Sequence, residues 1–129
     1  MIVGKPSVAI LGASADRSKF GNKSVRAHAA CGYEVFPVNP KGGQIEGLTV
    51  YRSLEEIPVA HLDRISVYLP PPLLLKTLPE IAAKGCDELW LNPGCESDEV
   101  VAQATAMGLK LILDCSIVDL GVSPAQFGD

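Results

Sequence analysis

The sequence lacks the constellations by which small enzymes are usually read. No HExxH, GxSxG or GxxxxGK[ST] pattern occurs, and the two histidines, His28 and His61, have no nucleophile or carboxylate at an interpretable spacing. The four cysteines, Cys31, Cys86, Cys95 and Cys115, form no CxxC pair, which excludes the common zinc patterns. With 47% apolar residues the chain can build a core without a disulfide framework, so reduced thiols that pack as small hydrophobes are expected. Long hydrophobic runs are missing as well: nothing reaches the run of about 18 apolar residues needed to span a membrane. The opening MIVGKPSVAILGAS reads as strand and loop rather than as a leader peptide. Positive charge is not in surplus, since 11 Lys and Arg face 15 Asp and Glu, and this argues against a coat for nucleic acid or an anionic membrane. These absences point to a cytoplasmic protein, and 129 residues are room for a single domain over 1–129.

Present instead is a succession of short apolar segments. Residues 7–11 (SVAIL), 34–38 (EVFPV), 64–69 (RISVYL), 88–91 (ELWL) and 110–113 (KLIL) are nearly continuous rather than alternating, the pattern of parallel strands buried on both faces. Helical stretches lie between them. In PPLLLKTLPEIAAKG, Leu74, Leu78, Ile81 and Ala82 share a face, Pro71 and Pro72 suit a helix start, and Gly85 suits its end. In SDEVVAQATAMG, Ser97 caps, Asp98 and Glu99 favour the positive end of the dipole, Val100, Ala104 and Met107 line one face, and Gly108 closes it. A third helix of small residues is expected over 22–31. Strand and helix in alternation predict an α/β fold: a doubly wound parallel sheet of about five strands in a three-layer sandwich. Residues 41–57 break the pattern and read as a loop, a small hairpin with strands at 44–45 and 49–51, and a helical turn capped by Ser53.

In such a sheet the ligand crevice lies at the carboxyl ends of the strands. Four loops arrive there, 12–21, 39–43, 70–72 and 92–97, all rich in Gly, Pro, Asn and Ser. The first follows a strand and opens a helix, a place for phosphate. It does not carry the dinucleotide fingerprint, because Ser14 and Arg17 stand where the second and third glycines belong. The second strand ends in Asn39 rather than in the acid that accepts from an adenosine ribose. Between positions 17 and 41 five cations, Arg17, Lys19, Lys23, Arg26 and Lys41, face Glu34 alone, while the rest of the chain carries six cations and fourteen carboxylates. Arg17, Lys19 and Lys41 are therefore expected to converge on a polyanion. Arg26 reads as part of a solvated helix face, His28 as a surface or boundary residue, and Trp90 as a core residue whose N–H seeks a partner.

The motifs VAILGAS (8–14), VNPKGGQIEG (38–47), VYLPPP (67–72), ELWLNPGCESDE (88–99) and LILDCSI (111–117) resemble the stand-alone CoA-binding domain family, which is similar to the N-terminal domain of the succinyl-CoA synthetase α subunit. The resemblance implies a Rossmann-like domain with coenzyme A or an acyl-CoA as its cofactor. It assigns the phosphate side to Gly12, Ala13, Ser14, Arg17, Ser18 and Lys19, and the nucleotide side to Val38, Asn39, Pro40 and Lys41. Leu69, Pro70 and Pro71 form one wall, with Asn92, Pro93 and Gly94 opposite. Many relatives have Gln where Asn92 stands, and the synthetase's phosphorylated histidine belongs to a second domain, so ligase activity is not carried over. The expected function is a non-catalytic binding module for this nucleotide ligand, with a protein partner or a homodimer as further possibilities. The alternatives are an NAD(P)-linked oxidoreductase fragment and a regulatory or scaffold subunit with a vestigial crevice. Cys95, between Gly94 and Glu96, is expected to be the exposed thiol, and Cys95 and Cys115 the two thiols able to meet the thiol of CoA.

Overall fold

The computed structural model of the chain describes residues 4–128. Its elements run β1 (Ser7–Leu11), α1 (Phe20–Ala30), β2 (Glu34–Val38), a hairpin of β3 (Gln44–Ile45) and β4 (Leu48–Thr49), a 3-10 turn (Leu54–Glu56), β5 (Leu62–Val67), α2 (Pro71–Lys84), β6 (Cys86–Leu91), α3 (Asp98–Ala106), β7 (Leu111–Ile112), α4 (Ser116–Asp119) and a second 3-10 turn (Pro124–Gln126). The five main strands form one parallel sheet in the order β2-β1-β5-β6-β7, an α/β Rossmann-like arrangement. Strand order reverses between β1 and β5, the place where doubly wound sheets open a crevice. Register makes that crevice level: Leu11 stands opposite both Val38 and Val67, and Val67 opposite Leu91.

Local sequence explains the elements. Pro71 and Pro72 occupy the first turn of α2, where a missing N–H costs nothing, and Gly85 ends it at φ +83°. Ser97 caps α3 by accepting from the Val100 N–H at 3.1 Å. Several boundaries differ from the hydropathy reading. Helix α1 starts at Phe20, β5 and β6 each start two residues early, β7 keeps two residues, and β4 lies at 48–49 while Tyr51 makes one parallel bridge to Val38. The early starts run through Asp63 and Asp87, which lie within the strands but are exposed, so hydropathy passes over them. Ser53 precedes the 3-10 turn without a side-chain cap, and Ala82 and Met107 face water.

The two sheet faces are unlike. One packs Ala9, Leu11, Ile65, Val67, Leu89 and Leu91 against Leu74, Leu78 and Ile81 of α2 and Val100 and Ala104 of α3, a wholly apolar layer. The other carries Val8 and Ile10 on β1, but the residues paired beside and beyond them are Arg64, Ser66, Glu88 and Trp90. Here two expectations are corrected. His28 is fully buried rather than at the surface: α1 turns it inward to meet Ser24 Oγ at 3.2 Å and the Ser24 carbonyl at 2.8 Å through Nδ1. Arg26 is no solvated residue, because its guanidinium donates to the carbonyls of Arg17, Phe127 and Gly128 and to Asn22 Oδ1, tying the first loop and the carboxyl-terminal segment to α1. Trp90 is core, and its N–H donates to Glu88 Oε1 at 3.0 Å.

Candidate functional site

The loop after β1 is set by contact between backbones. Gly12 sits at φ +89°, and a Cβ there would lie 2.4 Å from the Tyr68 carbonyl oxygen; a Cβ on Gly21 would lie 2.4 Å from the Gly12 carbonyl oxygen. These two positions let α1 begin hard against the ends of β1 and β5. The N–H groups of Gly12 and Ala13 both donate to the Val38 carbonyl at 3.2 Å, so they lock this loop to β2. Asn39 completes the lock, donating to the Ala13 carbonyl at 2.8 Å and accepting from the Lys41 N–H at 2.9 Å.

Three contiguous compartments follow along the carboxyl edge. The first is a narrow slot of about 140 Å³ between Val38, Pro40, Leu69 and Leu73, with Arg52 and Ser53 at its rim. The second, of about 390 Å³, is polar and runs past Gly12, Ala13 and Ser14 between Lys19 and Lys41. The third is an apolar pocket of about 310 Å³ walled by Phe20, Tyr68, Leu69 and Pro70 on one side and by Asn92, Pro93, Gly94, Cys95 and Cys115 on the other. Gly12 joins the first to the second, and Phe20 and Tyr68 join the second to the third.

Of the residues singled out in the sequence, Gly12, Ala13, Ser14, Lys19, Val38, Asn39, Pro40, Lys41, Leu69, Pro70, Asn92, Pro93 and Gly94 line these three neighbouring compartments. Arg17, Ser18 and Pro71 line none of the three compartments. Arg17 pairs with Glu46 of the β3–β4 turn at 3.5 Å, Ser18 donates to Asp16 at 2.6 Å, and Pro71 opens α2. The five-cation segment thus delivers two lysines to the crevice rather than three cations converging. The Ser18 hydrogen bonds also hold the Asp16 carboxyl below the usual range.

The floor of the apolar pocket is a closed hydrogen-bond network. Asn92, nearly fully buried, donates to Ser66 Oγ and the Val67 carbonyl at 2.9 Å each and accepts from the N–H and Oγ of Ser116 at 2.9 and 3.0 Å. Ser66 and Ser116 meet at 2.7 Å, and the Tyr68 hydroxyl reaches Ser116 at 3.2 Å. Burial pushes the Tyr68 phenol up, so it stays protonated and polar at the pocket wall. Asn92 thus holds the floor together. Cys95 and Cys115 both line this pocket, as expected, but the exposure expected of Cys95 is corrected. Cys95 is buried at 5% exposure, its Sγ–H donates to the Val67 carbonyl at 3.2 Å, and burial pushes its thiol up. Cys115 is half-buried on the same pocket, while Cys31 is exposed at the end of α1.

The sequence profile described as CoA binding domain matches residues 6–121 of this chain. The chain belongs to that family. Among curated proteins it is 38% identical over 85 residues to the α subunit of an ADP-forming acetate–CoA ligase of Pyrococcus furiosus, over 61% of this chain and 18% of that one. It is 32% identical over 84 residues to a trans-feruloyl-CoA synthase from an unknown prokaryote, over 62% of this chain and 12% of that one. The CoA-binding-family chain thus spans less than a fifth of these curated relatives. Among solved structures, a conserved hypothetical protein of P. furiosus superposes with TM-score 0.77 at 33% identity, over 91% of this chain and 99% of that one. A Thermus thermophilus protein superposes with TM-score 0.82 at 29% identity, over 89% and 87%.

Wall residues that the sequence reading did not assign to the site are Phe20, Gly21 and Tyr68 and, in the slot, Leu11, Arg52, Ser53, Leu73, Thr77 and Glu80. Phe20 gave no signal, since an aromatic at a helix start reads as core, yet it is 53% exposed. Tyr68 stands inside the stretch 64–69 read as strand; β5 ends at Val67, which leaves Tyr68 on the pocket wall. No three His, Cys, Asp or Glu side chains among the described residues converge as metal donors.

Proposed function

We propose that this domain binds coenzyme A or an acyl-CoA along its carboxyl edge without catalysing turnover by itself. The observation that carries the reading is the order of the compartments: a slot of about 140 Å³ between Val38, Pro40, Leu69 and Leu73, a cleft between Lys19 and Lys41, and an apolar pocket, neighbours that share wall residues. That order matches a ligand with a base, a charged phosphate region and an uncharged arm. The adenine lies between Pro40 and Leu69, the phosphates face Lys19 and Lys41, and the pantetheine arm passes Phe20 and Tyr68. Asn39 weighs against NAD, because both ends of its side chain are engaged with Ala13 and Lys41 and no acid takes the ribose hydroxyls at the end of β2. The named activities of the longer relatives, acetate–CoA and feruloyl–CoA ligation, support a CoA ligand here and suggest a protein partner that supplies chemistry. Four unpaired cysteines support a reducing, cytoplasmic setting.

Calorimetry with CoA, dephospho-CoA and NAD tests the reading, alongside native mass spectrometry of freshly purified protein. Binding in the order CoA, then dephospho-CoA, then NAD is expected. Equal binding of NAD and CoA, or binding of neither, rejects it, and the second result favours a vestigial crevice.

A further inference from the structure

Of the four arginines in the chain, three are engaged within the fold. Arg17 faces Glu46 at 3.5 Å, Arg26 donates to three backbone carbonyls and to Asn22, and Arg64 is paired with Asp119 and Glu88. Arg52 differs. Glu56 accepts from its backbone N–H at 3.3 Å, but its guanidinium makes no hydrogen bond or ion pair among the described residues. The backbone brings this unpartnered group to the crevice. Tyr51 makes a parallel bridge to Val38, donates its N–H to the Pro37 carbonyl and accepts from the Asn39 N–H, both at 2.9 Å, so the chain runs alongside the end of β2 and Arg52 continues it toward the carboxyl edge. There Arg52 and Ser53 stand at the slot beside Val38 and Pro40. Gly42 places the side chain: a Cβ on it would lie 3.0 Å from Arg52 Nε, 3.5 Å from Nη2 and 3.6 Å from Cγ. This glycine, at φ +66°, thus leaves a cradle in which the guanidinium lies, against the residue next to Lys41. The Ser53 hydroxyl is unused as well, since it does not cap the 3-10 turn and makes no hydrogen bond among the described residues.

Resting on the CoA reading above, we propose that Arg52 is a specificity-determining residue that binds the phosphomonoester on the ribose, with the Ser53 hydroxyl as a second donor, while Lys19 and Lys41 flank the diphosphate. The argument is one of position and chemistry. A base in the slot and a diphosphate in the adjoining cleft leave the ribose near Pro40, where the two compartments meet, and the guanidinium cradled on Gly42 is the cation at the rim of that slot. A planar fork of donors with no partner in the protein matches the oxygens of a terminal phosphate. The lysines serve any ligand with a diphosphate. Arg52 separates a ligand that carries the ribose phosphate from one that does not, and it does so from outside the cation-rich segment 17–41.

The test is calorimetry with CoA and with dephospho-CoA, which lacks only the ribose phosphate, on the wild type, Arg52→Ala and Lys41→Ala. The wild type should bind CoA about tenfold more tightly than dephospho-CoA. Arg52→Ala should lose about tenfold toward CoA and less than about twofold toward dephospho-CoA, so that the preference disappears. Lys41→Ala should weaken both ligands by a similar factor and keep the preference. Arg52 is exposed and its side chain holds nothing in the fold, so Arg52→Ala should melt with the wild type; the comparison of the two ligands on wild-type protein does not depend on any variant. Binding of CoA without preference over dephospho-CoA, an equal loss for both ligands in Arg52→Ala, or a preference that survives in Arg52→Ala or is lost in Lys41→Ala overturns the assignment and leaves the CoA reading standing. Absence of CoA binding to the wild type removes both.

Discussion

At the amino end of the sheet, on the face beneath α1, polar side chains are turned on one another. Arg64 is buried, donates to Asp119 at 2.8 Å and to Glu88 at 3.2 Å, and stacks on Trp90 at 4.6 Å and Tyr33 at 5.4 Å. His28 lies 3.5 Å from the same guanidinium. At the carboxyl end the arrangement is the reverse: Lys19 and Lys41 are exposed and border an open polar cleft. The asymmetry has a physical basis. A buried charge must be matched inside the protein, and Arg64 is matched by the partly exposed carboxylates of Glu88 and Asp119. Charges left in water remain available to a ligand at little cost to the fold. One cluster holds α4 on the sheet, and the other is free to bind.

That division can be broken most severely at Arg64. Arg64→Met leaves Asp119 and Glu88 without their partner and loosens α4, and chemical denaturation should show a loss of about 3 kcal/mol. This is the lower end of the range for a broken buried pair, because both carboxylates keep contact with water. If stability is unchanged, the amino-end cluster is not structural and the contrast fails.

His28 sharpens the comparison through pH. Burial pushes its imidazole down from 6.5 to about 4, and the Arg64 guanidinium works in the same direction against the Ser24 carbonyl bond. The folded protein therefore binds fewer protons than the unfolded chain between these values, and stability rises with pH across that window. The His28 contribution is intact above 6.5, is lost progressively as pH falls toward about 4, and is flat below. Between pH 7 and pH 5 it amounts to about 2 kcal/mol. Denaturation midpoints of the wild type and His28→Gln over this range check it: the variant should lack that part of the slope.

The carboxyl end should answer in the opposite currency. Lys41→Ala and Lys19→Ala should each weaken CoA binding by roughly tenfold, and by more at low salt than at high salt, while thermal midpoints stay close to wild type. Calorimetry at two ionic strengths reads the first part and a melting curve the second. The smallest effect is expected at Arg17, whose guanidinium already faces Glu46. Arg17→Ala should change CoA affinity by less than about threefold. A loss as large as that at Lys41 would show that the Arg17–Glu46 pair opens to admit the ligand.

Much of this architecture was legible from residue order. The stretches SVAIL and EVFPV match β1 and β2 to the residue, Pro71, Pro72 and Gly85 bound α2, and Ser97 caps α3, because strand burial and helix ends depend on side chains within a few positions of each other. The crevice loops were legible for the same reason, since parallel strands deliver their carboxyl ends to one edge. Hydropathy failed where a polar residue is buried by a distant partner. Nothing within α1 marks His28 as core, and nothing near Arg64 foretells Asp119, 55 positions away. Asn92 reads as a loop residue until Ser66 and Ser116 are brought beside it.

Residue order is enough for the alternation of strand and helix, the edge at which the loops gather, and the excess of cations in the segment around α1. Packing selects which of those cations face the crevice, which cysteines are buried, and which asparagine, serines and tyrosine build its floor. The physical reason is range. Periodicity, caps and turns are interactions between near neighbours, whereas hydrogen-bond saturation and thiol accessibility depend on groups that meet only when β1, β5, β6 and α4 pack together.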